Sequence, residues 1–182
     1  MIIVKSMPFD SKLVEGEYDR AINSKDFARY LSSFISNGVI ISDGGILGTE
    51  LQVENAGGMK VIVNPGAVHI NGRIGWLDTG LETLLLDIGG SLDRIDRVVV
   101  EMNATEDIRS IIIKVIKGVE NANPVPPNLI RAEDIYQISL AQCRVNAGQS
   151  VITSILDERA DTNLCGIARA KIRNWGDLKG LN

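Results

Sequence analysis

Few residues of this chain have the type and spacing that chemistry requires. Its single histidine, His69, is the one side chain whose ordinary pKa lies near neutrality. A triad needs such a base beside a nucleophile and an orienting acid, and no G-x-S-x-G elbow is present. His69 lies out of phase between Val68 and Ile70 and reads as a residue of a sheet face. Carboxylates pair closely at Asp93/Asp96, Glu106/Asp107 and Asp157/Glu158. Glycoside hydrolysis uses two such groups about 5–10 Å apart. All three pairs stand at turn signals or among arginines, so solvated acids and surface ion pairs are expected.

Cys143 and Cys165 are too few and too far apart for a disulfide framework or a zinc site, and read as buried free thiols. No EF-hand spacing or His/Cys cluster occurs, so no metal or cofactor is expected. Asp43-Gly44-Gly45-Ile46-Leu47-Gly48 could cradle phosphate only if a helix began directly after it. The following Thr-Glu-Leu-Gln-Val-Glu alternates like a strand, and a surface loop is the better reading. Trp76 and Trp175 are the two aromatic side chains that patterning does not bury. Either could offer a platform to a saccharide, while cross-strand packing is the competing reading for Trp76. No residue is assigned a catalytic role, and the chain is expected not to be an enzyme.

The totals narrow the class. With 182 residues the chain suits one domain, and 45% hydrophobic with 23% charged residues is an ordinary globular balance. A net charge of −4 argues against a nucleic-acid partner, which would need a cationic stripe. No apolar run approaches the ~20 residues of a membrane span. Met-Ile-Ile-Val-Lys-Ser-Met lacks the apolar segment of about 7–15 residues found in a signal peptide.

The elements that must position these residues are mostly strands. Residues 8–23 read as a loop or arm. Residues 24–37 read as the one helix, with Ser24 as N-cap, Asp26 in the first turn and Gly38 closing it at C′. Phe27, Tyr30, Leu31, Phe34 and Ile35 recur at helical spacing and form one apolar stripe. That stripe is expected to lie on a sheet, with contact to a neighbouring subunit as the alternative.

From Leu51 onward the period is two. Asn64-Pro65-Gly66 suits a type II turn and Asn71-Gly72 a two-residue type I′ hairpin, so residues 59–77 read as a three-stranded meander. Val98, Val100 and Met102 point inward, as do Tyr136, Ile138 and Leu140, with Ala141 opposite. Ile111, Ile113 and Val115 share one face, and Ile112 and Ile116 make 108–117 apolar on both, which places that strand centrally in a sheet. Asn123–Asn128 reads as an extended polyproline-like crossing and Val151–Leu156 as a last strand. Nine or ten strands after one helix favour a mainly β fold, an antiparallel β-sandwich with one N-terminal helix. The implied division is an arm over 1–23, the helix and sandwich over 24–168, and a tail over 169–182.

The ordered set Asp26-Phe27-Ala28-Arg29-Tyr30, Asn64-Pro65-Gly66 with Ile70-Asn71-Gly72, Arg94-Ile95-Asp96-Arg97-Val98-Val99, and Asp157-Glu158-Arg159 to Leu164-Cys165-Gly166 resembles a known family. It is similar to the baseplate and tail-tip structural proteins of siphophages that infect Gram-positive bacteria. Within these it looks most like the N-terminal shoulder module of receptor-binding and upper-baseplate proteins. The resemblance covers residues 9–168. It implies a β-sandwich with an N-terminal helix, a homo-oligomer with a trimer favoured, and other tail or baseplate proteins as partners. It further implies a place at the distal tail of the virion, after synthesis in the host cytoplasm. Interface candidates are Phe27, Tyr30, Leu31, Phe34, Trp76 and Trp175. An adhesin that binds host cell-wall saccharide directly is the alternative. Arg94, Asp96 and Arg97 are expected to pair with Asp93, Asp157 or Glu158, and Asp157, Arg159 and Asp161 to form a polar clasp.

Overall fold

The computed structural model describes residues 12–18, 22–41, 46–78 and 82–171. Trp175 and the glycine-rich stretch 43–45 lie outside them. A short pair, β1 (Leu13–Val14) and β2 (Glu17–Tyr18), precedes helix α1 (Ser24–Phe34). Three antiparallel sheets follow. One has the order β3 (Gly38–Ile40), β6 (Gly66–Ile70), β7 (Arg73–Leu77), and a second the order β4 (Val53–Gly57), β5 (Lys60–Val63), β8 (Glu82–Leu85). The largest sheet has the order β10 (Ser110–Ile116), β9 (Arg94–Asn103), β11 (Ile135–Val145), β12 (Ser154–Asp157).

The fold is mainly β and sandwich-like, with one helix, as the alternation requires. Val98, Val100 and Met102 of β9, with Ile138, Cys143 and Val145 of β11, meet Val61 and Val63 of β5 and Val68 and Ile70 of β6 in one buried cluster. Each such side chain contributes about 1.5–3 kcal/mol on leaving water. In β11 the register shifts between Ser139 and Ala141, which face Val99 and Val98, leaving Leu140 as an extra residue. Inward positions are therefore even before the bulge and odd after it, which turns Ala141 into the core, where it is 1% exposed, rather than away from it.

Several expectations are corrected. Residues 59–77 are not one meander, because β5 pairs with β4 and β8 while β6 pairs with β3 and β7. The chain changes sheet at Asn64-Pro65. Gly66 does not take the positive φ of a type II turn and instead opens β6. Its hydrogen matters because a Cβ there would sit 2.8 Å from the amide nitrogen of Leu51. Asn71 and Gly72 do both have positive φ, +47° and +77°, and link β6 to β7 as the hairpin signal predicts. The strand expected centrally, β10, is an edge strand whose only sheet partner is β9. The last strand runs from Ser154 to Asp157 rather than from Val151.

Candidate functional site

Helix α1 begins one residue earlier in its capping than expected. Asn23, not Ser24, is the N-cap: its backbone is extended and its side-chain oxygen accepts from the Asp26 N–H at 2.9 Å. The helix ends at Phe34, since Ile35 takes φ −122° and ψ 133°, so Gly38 is no C′ residue. Gly38 belongs to β3 at φ +143°, and a Cβ there would lie 2.5 Å from the Gly166 carbonyl oxygen. That crossing brings residues 165–171 alongside the helix exit. Val39 N–H donates to Gly166 O at 2.9 Å, Ser36 N–H to Arg169 O at 2.9 Å, and Lys171 N–H to Phe34 O at 2.8 Å.

The side of the helix that meets the body is small and polar. Asp26 and Ala28 are its buried residues. Ala28 lies over the hairpin tip so closely that a Cβ on Gly72 would fall on the Ala28 carbonyl. Asn37 completes the joint: its amide donates to Asn71 Oδ1 at 2.9 Å and its oxygen accepts the Asn71 N–H at 2.8 Å. The helix is thus fixed by close backbone approach and amide pairing rather than by its large apolar side chains.

The apolar stripe consequently faces outward, against the expectation that it lies on a sheet. Phe27 is 54% exposed, Tyr30 40% and Phe34 45%, while Leu31 is half-buried. Tyr30 and Phe34 meet edge to face with centroids 5.1 Å apart. Phe27, Tyr30 and Phe34 thus leave three large rings in contact with water on one side of the helix. The sequence carried the stripe; it could not show which side of the helix would dock, because the docking is done by Ala28 against a glycine.

Trp76 lies on β7 across from Ala67 and is 67% exposed. It stands at a cleft of about 300 Å³ between the sheets, lined also by Leu77, Glu82 and Ile111–Ile113 and floored by Val68 and Val100. It is therefore not a covered cross-strand residue. The structure does not join Trp76 to the helix stripe: it is on a different strand set and a different opening.

The acidic pairs hold up differently from expectation. Asp96 and Glu158 are not solvated turn acids but are buried. Asp96 is bonded by Arg94 Nε at 3.0 and 3.1 Å and accepts the Gly118 N–H at 2.8 Å, and Arg94 also donates to the carbonyls of Asp87 and Ile88. Glu158 accepts from Arg97 at 3.3 Å, from Ser139 and from Gln142. The expected Arg97–Glu158 pair is thus present, and Asp93 pairs with Arg144 at 2.6 Å. The clasp forms only in part: Arg159 binds Asp157 at 2.7 Å and reaches the carbonyls of Gly48 and Glu50 at 3.1 and 2.6 Å, while Asp161 accepts the Asn163 N–H at 2.8 Å instead. Burial pushes the Glu101 carboxyl up, but hydrogen bonds from Lys114 and Gln137 outweigh it and hold the group below its ordinary range. Each of these acids is committed to a cation or an amide.

His69 is fully buried, with Nδ1–H donating to the Ser36 carbonyl at 3.1 Å and no partner at Nε2 among the described residues. Burial lowers its pKa, keeping it neutral. Cys143 and Cys165 are buried, and burial raises both thiols to about 12. Among the described residues no group of three or more His, Cys, Asp or Glu side chains is placed to hold a metal ion, and no helix is long and apolar enough to cross a membrane. Comparison with known protein families, with characterised proteins and with solved structures finds no match.

Proposed function

We propose that this chain is a non-enzymatic structural module that works by protein–protein contact through the outer face of α1. The observation that carries the reading is the inversion of that helix: Ala28 and Asp26 are buried, while Phe27, Tyr30 and Phe34 face water. An aromatic face maintained on a helix that does not need it for docking has a use outside the subunit. The ordered motifs resemble those of siphophage tail-tip and baseplate proteins, and we place the module at the distal tail of such a virion, as a homo-oligomer with a trimer favoured, beside other tail proteins. Gold-labelled antibody viewed on intact particles tests this placement. Label at the tail tip is expected; particles without label, from a lysate that contains the protein, would overturn it. Light scattering on Phe27→Ser/Phe34→Ser tests the helix face separately, with a smaller assembly expected than for the unmodified chain.

A second reading rests on Trp76. Its exposed ring at the cleft, with Glu82 among the lining residues, is the arrangement that direct adhesion to cell-wall saccharide would use. Titration with host wall polymers should then show binding that Trp76→Ala weakens, and no binding by the unmodified chain would remove this reading.

A further inference from the structure

His69 is buried without being fully satisfied. It stands on the face of β6 turned away from Val68 and Ile70, which belong to the core cluster. Its Nδ1–H is engaged by the Ser36 carbonyl, so Nε2 is a bare acceptor shut off from water. Ser36 in turn anchors a strap, residues 167–171, which runs beside 34–39 and belongs to none of the sheets. The Ser36 N–H donates to Arg169 O at 2.9 Å, and its Oγ accepts the Arg169 N–H at 3.0 Å and donates to Ile167 O at 3.3 Å. Ala168 N–H donates to Val39 O and Lys171 N–H to Phe34 O, both at 2.8 Å. Side-chain burial adds little to this hold: Arg169, Ala170 and Lys171 are exposed, and Ile167 and Ala168 are half-buried.

We infer that 167–171 form an acid-operated latch: when His69 takes up a proton, the strap and Ser36 lift from β6 and water reaches the ring. The added proton goes to Nε2, since Nδ1 already carries one. There it creates a buried cation whose new N–H has no acceptor among the described residues. Lys171, on the strap, is the charged group that acts on the ring, and it opposes the proton. Arg169 is the strap's second cation, and the flanking Ser36, Gly38 and Ile74 carry no charge. Protonation therefore sets like charges on ring and strap and leaves a donor unpaired; solvation relieves both. The local route costs least. Lifting the strap breaks its hydrogen bonds and uncovers two half-buried side chains, whereas unfolding gives up the whole core. The bond from Val39 N–H to Gly166 O lies outside the strap and keeps β3 in place. The latch needs no second molecule and is independent of what meets the outer face of α1.

Native-state hydrogen exchange on the full chain, between about pH 7.5 and about pH 5, tests it, with each rate taken relative to the intrinsic rate at that pH. The Ser36, Ala168, Arg169 and Lys171 amides should be less protected than those of β9 at every pH. Their protection should fall about tenfold per unit below pH 6.5, the ordinary value of a solvated imidazole, and stay flat above it. His69→Asn keeps a donor for the Ser36 carbonyl and removes the titration, so strap protection should be flat throughout. Protection equal to that of β9 would mean that the strap opens only with the whole fold, and would overturn the latch. So would strap protection that ignores pH in the unmodified chain, or that still falls with acid in His69→Asn. The first two of these outcomes need no variant.

Discussion

Glu158 shows at the residue scale what a buried acid does here. It gathers Arg97, Ser139 and Gln142 on the face of the large sheet that turns away from the core, where Arg97 also reaches the Pro127 carbonyl at 2.8 Å. Removing one member of a buried pair strands the other charge, so Glu158→Ala should lower stability in urea unfolding by about 3–5 kcal/mol. Replacing both charges, as Arg97→Met/Glu158→Leu, should cost less than that single change. His69 sets a pH dependence. Burial depresses its folded pKa below 6.5, so the unfolded chain takes up the proton first as pH falls. Stability is unaffected above that value and declines below it, and His69→Leu should flatten this part of the curve. Glu101 and Asp157 are also held low, against their burial, by their bonds to Lys114 and Arg159. Their contribution is present above their ordinary values of 4.5 and 3.8 and is lost as pH falls further. Both cysteines, with thiols near 12, should resist thiol reagents until the chain unfolds.

At the scale of elements, α1 separates what stabilises from what binds. Asn23→Ala removes the N-cap acceptor and should cost about 1 kcal/mol. Phe27→Ser should change stability by less than about 0.5 kcal/mol and Phe34→Ser, which also gives up the ring contact with Tyr30, by about 1 kcal/mol, against about 3–5 kcal/mol for a core phenylalanine. Gly72→Ala meets both a positive φ and the Ala28 backbone, and should loosen the helix as read by hydrogen exchange in residues 24–34. Periodicity made the helix, the inward set of β9 and the Asn71-Gly72 hairpin legible, since each is a local consequence of spacing or of φ. The outward stripe was not legible, because spacing marks a face without saying what covers it. The edge position of β10 escaped for the same reason: two apolar faces signal burial, and the facing strand β7, where Ile111 packs beside Gly75, covers residues as a sheet neighbour would. Buried Glu158 escaped because its turn-like surroundings in sequence carry no information on Arg97, which folding brings across from β9, and Asp96 because an arginine two residues before it reads equally well as a surface ion pair.

For the whole molecule, the sheets meet in one core while their open sides differ in chemistry: aromatic rings on the helix, an aliphatic edge at β10, and a tryptophan at the cleft between. Native-state hydrogen exchange should be slowest in β9 and β11, the two central strands of the large sheet, and fast in β1–β2, which among the described residues pair with each other alone. The extra residue at Leu140 has a bearing on how this fold tolerates changes of length. Across a long buried strand, losing one residue would ordinarily turn every later side chain inside out. Here Ser139 and Ala141 already face consecutive residues of β9, so deletion of Leu140 would leave an unbroken ladder with Cys143 and Val145 still indoors, at the expense of one aliphatic side chain. Position 140 is where β11 can be shortened by one without losing phase.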